Sequence, residues 1–95
     1  MAQKQNTSTR IPPQNLESEK ALLGSLMLKP DGMNDSIDIL TPDSFYAEKH
    51  RYIFQSMLEL FSRSEPIDLL SLSSKLQEKK KLDQIGGSTY LTELV

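Results

Sequence analysis

The sequence predicts an all-α domain, a compact orthogonal bundle of about five helices around one amphipathic helix. Three observations predict it. The stretch 47–63, AEKHRYIFQSMLELFSR, places Ile53, Phe54, Met57, Leu58 and Phe61 at i, i+1, i+4, i+5 and i+8. That recurrence belongs to a helix with one broad buried stripe. Apolar residues recur at helical spacing elsewhere too, with no alternating strand pattern and no long-range repeat. The segments between these runs are about 4–6 residues long, as compact domains prefer.

Ninety-five residues make one domain at most. A hydrophobic share of 37% and a charged share of 25% fit a soluble globular protein. The net charge of −2 leaves no global basic field of the kind nucleic-acid binders carry. The absence of cysteine excludes disulfide staples, thiol catalysis and cysteine-ligated zinc. No apolar run approaches the ~20 residues of a membrane span, and MAQKQNTSTR lacks the apolar stretch of a signal peptide. The expectation is a cytoplasmic protein with no membrane partner.

Residues 1–13 are polar and end in Ile11-Pro12-Pro13. They are expected to form a disordered tail, with the globular helical domain spanning 14–95. A first helix is predicted over Leu16–Leu28, with Asn15 as N-cap and Glu17 and Glu19 in the first turn, where the dipole favours negative charge. Leu16, Leu23, Leu26 and Met27 make its stripe, and Leu22 and Leu28 widen it. Gly24 inside a helix costs about 1 kcal/mol against alanine, which points to close approach of another helix. Lys29-Pro30-Asp31 ends this helix. Asp31 is expected to cap a short second one running to about Leu40, with Met33, Ile37 and Leu40 inward.

Thr41-Pro42 reads as a cap and first helical position, with Phe45 and Tyr46 expected against the start of the central helix. His50 is the only histidine. It reads either as a general base or pH switch, or as a packed histidine with one satisfied nitrogen. The second is preferred, because no Ser, Cys or acid is placed to make it a dyad. Asp68 caps the next helix, and Ile67 and Leu72 occupy the N′ and N4 positions of a hydrophobic staple. That helix is predicted to carry Leu69, Leu72 and Leu76 inward and to reach Lys81, with Lys79, Lys80 and Lys81 at its negative end. The run 83–87 is predicted to turn through Gly86 and Gly87, and lacks the spacing of a phosphate loop. A last helix from Ser88 carries Tyr90, Leu91, Leu94 and Val95 on a stripe that is still open where the sequence stops. The expectation is a piece of a longer protein.

No nucleophile–base pair, metal cluster or phosphate loop is present, so no catalytic, cofactor or metal site is expected in these residues. Function comes into view through a resemblance. PPQNLE at 12–17 leads into ALLGSL at 21–26. Phe45-Tyr46 is followed by His50-Arg51 and Ile53-Phe54, then by Pro66-Ile67-Asp68-Leu69, then by Gly86-Gly87 and Tyr90-Leu91. In this order and spacing the motifs resemble the N-terminal domain of DnaB-type bacterial replicative DNA helicases. One departure is Ala47, where the family often carries an acidic or small polar residue, so the central helix has a weak cap of its own.

The resemblance implies a parent that is a ring-shaped hexameric helicase driven by ATP and Mg²⁺ in a separate RecA-like motor domain. It implies that this part belongs to a collar that supports ring assembly and helps recruit primase, with a helicase loader as a further partner and DNA held mainly by the motor. The matching residues Asn15, Gly24, His50, Phe54, Asp68, Gly86 and Gly87 would then be structural. Interaction would fall to exposed groups, for which Tyr52, Leu60, Lys79, Lys80, Lys81 and the open stripe Leu91, Leu94 and Val95 are the candidates. The alternative is a helix-turn-helix-like nucleic-acid-binding domain touching phosphates through Lys79–Lys81. Against it, Ser88–Val95 carries no Arg, Lys, Asn or Gln to read base edges.

Overall fold

Six α-helices and two 3₁₀ turns carry residues 15–95, the residues that the computed structural model describes. The tail expected at 1–13 lies outside the described residues. Helix α1 runs Leu16–Leu28, and Asn15 caps it by accepting from the Ser18 N–H at 3.0 Å. A 3₁₀ turn, Pro30–Gly32, leads into α2, Met33–Ser36. Helix α2 is much shorter than its apolar spacing suggests. Asp31 lies inside the 3₁₀ turn and does not cap, and the chain unwinds after Ser36. Met33 and Leu40 are buried, but Ile37 is exposed. A second 3₁₀ turn, Pro42–Ser44, precedes the central helix α3, Glu48–Ser62.

Helix α4, Leu69–Glu78, opens on Asp68, whose carboxylate accepts from the Ser71 N–H at 2.8 Å. Ile67 and Leu72 are both buried, which fits the staple. It ends at Glu78, short of the expected Lys81, for a local reason. Lys80 takes a left-handed φ of 60°. The Lys81 N–H then bonds the Leu76 carbonyl and the Lys80 N–H the Gln77 carbonyl, the paired bonds of a Schellman stop. Helix α3 stops the same way through Ser64, φ 56°. The segment expected as a plain turn instead winds one helical turn, α5, Leu82–Ile85, and then α6, Gly87–Glu93. Gly86 and Gly87 sit between them at φ 107° and 77°, a region side chains resist.

Helix α3 is the hub. It packs against α1, α4, α5 and the Pro42–Ser44 turn, while α4 also meets α5 and α6. Its buried residues are His50, Ile53, Phe54, Ser56, Met57 and Leu60. The stripe is therefore rotated from the expected one, because Leu58 and Phe61 are only partly buried and Leu60 is inside. Phe54 packs on Phe45 with ring centroids 5.1 Å apart. On α1 the buried positions are Glu19, Leu23, Gly24 and Leu26, whereas Leu16 and Leu28 stand in solvent. On α4 Leu69 is likewise exposed, leaving Leu72 and Leu76 as the inward pair.

Gly24 is where α1 meets the end of the chain. A Cβ built there would lie 1.9 Å from the Leu94 carbonyl oxygen, so backbone would have to move. Leu91 is fully buried and Leu94 nearly so. The stripe expected to stay open is thus closed within the domain itself, by α4 and α5 and by the approach of α1 at Gly24, with only Val95 exposed. Gly24→Ala gains about 1 kcal/mol of helix propensity but should still lose roughly 1–3 kcal/mol net through overpacking. A urea melt checks it, and an unchanged or raised midpoint would contradict the close approach.

Candidate functional site

The polar centre of the domain is a chain of three buried side chains from three helices. Glu19 comes from the first turn of α1, His50 from the first turn of α3 and Tyr90 from α6. The Glu19 side chain has no exposed surface and that of His50 only 1%. Glu19 Oε1 lies 2.7 Å from His50 Nδ1, and His50 Nε2 lies 2.6 Å from the Tyr90 hydroxyl. An ionised carboxylate only accepts, so Nδ1 carries the proton and donates to Glu19. The neutral ring then accepts at Nε2 from the Tyr90 O–H. The relay is satisfied at both ring nitrogens, one more than the sequence suggests, and the expectation that no acid is placed beside His50 fails, because Glu19 is brought in from α1.

Glu19 also does what Ala47 cannot. Ala47 is the N-cap of α3 and has no side chain to cap with. The Tyr46 N–H donates to Glu19 Oε2 at 2.6 Å and the Ala47 N–H to Oε1 at 3.3 Å. A carboxylate from another helix therefore sits at the positive end of α3. The Tyr46 ring, expected to pack, is exposed instead; what matters is its backbone, whose carbonyl accepts from Arg51 Nη2 at 3.1 Å, as that of Phe45 does from Arg51 Nε at 2.8 Å.

Burial lowers the His50 pKa, and it outweighs the Glu19 hydrogen bond and charge that favour the imidazolium; Lys49 and Lys20 add to the lowering. Burial likewise raises the Tyr90 pKa, helped by Glu93, Glu17 and Glu19, which keeps the phenol a donor. Lys49 Nζ stands 4.0 Å over the Tyr90 ring, covering the outer end of the relay. These groups position helices.

The candidate surface residues are not brought together. Leu60 is buried at 2% exposure, on the lining of a groove beside α4, and Leu91 and Leu94 are core, so against expectation none of the three stands in solvent. Leu60 looks available in sequence because it falls beside the expected stripe of the central helix, and Leu91 and Leu94 because their stripe runs to the end of the sequence. Tyr52 is half-buried, its hydroxyl donating to Glu48 at 3.2 Å. Lys79 pairs with Glu59 at 2.6 Å, and Lys81 stands 4.7 Å over the Tyr52 ring. Of the three lysines only Lys80 points freely outward among the described residues. The triplet is a helix stop with two internal ties, which is a poor footprint for phosphates. Among the described residues no three His, Cys, Asp or Glu side chains converge, and no helix is long and apolar enough to cross a membrane.

What the geometry defines is a small helical scaffold bolted through its interior. Residues 11–95 match the family model described as DnaB-like helicase N terminal domain, and the chain belongs to that family. It is 45% identical over 85 residues to the replicative DNA helicase DnaB of Synechocystis sp., covering 90% of this chain and 10% of that protein. It is 41% identical over 85 residues to the replicative DNA helicase DnaC of Bacillus subtilis, covering 90% of this chain and 19% of that protein. The crystal structure of the N-terminal domain of DnaB helicase from Mycobacterium tuberculosis superposes with a TM-score of 0.83 at 34% identity, over 88% of this chain and 58% of that one. The chain thus spans about a tenth to a fifth of the length of these curated relatives.

The lowered His50 pKa fixes the sign of a pH effect. Above the ordinary value of 6.5, the ring is neutral folded or unfolded and the relay contributes fully. Below it the unfolded chain takes up a proton that the folded chain resists, so stability falls until pH passes the folded pKa. With a single histidine, its ring C–H resonance reports the folded pKa directly. It should titrate below 6.5, and His50→Gln should remove this part of the acid slope in urea melts. Titration at or above 6.5 would contradict the burial argument.

Proposed function

We propose that this chain is the globular part of the collar of a ring-shaped hexameric replicative DNA helicase in a bacterial cytoplasm. There it supports ring assembly and helps to recruit primase, with a helicase loader as a further partner. The observation that carries this reading is its membership of the DnaB-like N-terminal family together with 41–45% identity to proteins named replicative DNA helicase. Unwinding of DNA, with ATP and Mg²⁺, is assigned to a motor domain elsewhere in the parent protein. These residues contribute shape and surface.

The internal bonding supports the same reading. A collar must keep its form while the ring works, and a buried relay that ties three helices rigidifies a domain of this size more than packing alone. The test is an amide NMR titration of the isotope-labelled chain with the helicase-binding domain of the cognate primase. Shifts clustered on one contiguous face are expected. No shifts, with the spectrum of the folded chain intact, would contradict a role for this domain in primase recruitment.

A further inference from the structure

The charge of this chain is unevenly placed. Residues 30–47 carry Asp31, Asp35, Asp38 and Asp43 and no Lys, Arg or His. The 11 basic residues all lie outside that stretch, where they meet nine of the 13 acidic ones. All four aspartates are exposed, and among the described residues none pairs with a cation. Lys29 borders the stretch, and Arg51 reaches its far end, where it bonds the carbonyls of Phe45 and Tyr46. With both counted, the region is still acidic by two charges.

Two isoleucines stand in the middle of it. Ile37 is 43% exposed and Ile39 57%, one on either side of Asp38. The backbone sets them there. Met33, Ser36 and Leu40, at i, i+3 and i+7, are the buried positions, so the rest of α2 and its trailing turn face water. The Ile37 N–H bonds the Met33 carbonyl at 3.0 Å, and the N–H groups of Ile39 and Leu40 share the Ser36 carbonyl at 3.1 and 2.8 Å. That bonding fixes the turn. β-Branched side chains are stiff at χ1, so two of them on a fixed turn lose little freedom on contact. Apolar groups rimmed by charge are a feature of contact sites.

We propose that α2 and its trailing turn dock a basic, aliphatic segment of a partner polypeptide, with Arg or Lys on Asp35 and Asp38 and an aliphatic side chain against Ile37 and Ile39. Charge complementarity selects this occupant. Nucleic acid and anionic lipid carry the same sign as the face. Two copies of the face would repel across a twofold axis, where one patch meets itself. A divalent cation needs several converging oxygen ligands, whereas among the described residues no three acidic or histidine side chains converge. It would also leave the isoleucines uncovered. The inference rests on this face alone and is independent of the collar reading.

The test is an amide NMR titration of the isotope-labelled chain with N-acetyl-Arg-Leu-Arg-amide at low salt, where exposed charges are least screened. The comparison probes are N-acetyl-Arg-Gly-Arg-amide and N-acetyl-Glu-Leu-Glu-amide. Shifts centred on residues 35–39 are expected, with about threefold weaker binding of the Gly probe, the scale of a partly buried leucine, and none of the Glu probe. Asp35→Asn with Asp38→Asn should weaken the Arg-Leu-Arg probe about fivefold, the scale of two exposed ion pairs. Ile37→Ser with Ile39→Ser should equalise the Leu and Gly probes. Both double variants alter exposed groups only. Shifts centred elsewhere, equal binding of the Leu and Gly probes, binding of the Glu probe, or an affinity untouched by the Asn pair would each overturn the proposal. Shifts of the same residues when the chain alone is concentrated would assign the face to a second copy and overturn it too.

Discussion

The carboxylate of Glu19 takes three donors at once: two backbone N–H groups at the start of α3 and the imidazole N–H of His50. Burying an ionised carboxylate in a domain of this size is costly unless every lone pair is used. Here the donors come from the positive end of the central helix, where a negative charge is favoured in any case. Loss of this group would leave α3 uncapped, His50 without its acceptor and Tyr90 bonded to an unanchored ring. The orientation of α1, α3 and α6 relative to one another depends on it. The Gly24–Leu94 approach depends on it in turn, since α1 and the end of α6 can touch there only if both are held to α3.

The helices were legible because burial repeats locally. The Asp68 cap with its staple and the helix over 16–28 follow from a few neighbouring residues, and the structure carries them. The relay was not legible. An acidic residue in a first turn usually faces water and serves the dipole, so Glu19 reads as ordinary. Its partners lie 27 to 31 residues away, a distance no local spacing encodes. The one available signal was the unmet need at Ala47, a helix start lacking a cap of its own. Gly24 did announce a close neighbour, but not that the neighbour was the carbonyl of Leu94. That gap is why the last apolar stripe looked open.

The end of α4 shows a different limit. Lys79–Lys81 continues a good helical sequence, and lysines suit a helix C-terminus. The stop comes from Lys80 in the left-handed region, which costs about 1 kcal/mol without glycine, and from Lys79 reaching across to Glu59. Tertiary pairing overrides propensity there. The same pairing turns a run that reads as a phosphate patch into a structural corner. The interior is fixed by a polar bolt of Glu19, His50 and Tyr90.

The central claim is that Glu19 holds three helices together. The most direct measurement is the urea unfolding free energy of Glu19→Ala at neutral pH against the unaltered chain. The account predicts a loss of roughly 3–5 kcal/mol, the scale for leaving several buried donors without their charged acceptor. The His50 resonance should also shift toward that of an exposed histidine. A loss below about 1 kcal/mol, the worth of an exposed first-turn carboxylate, would contradict it.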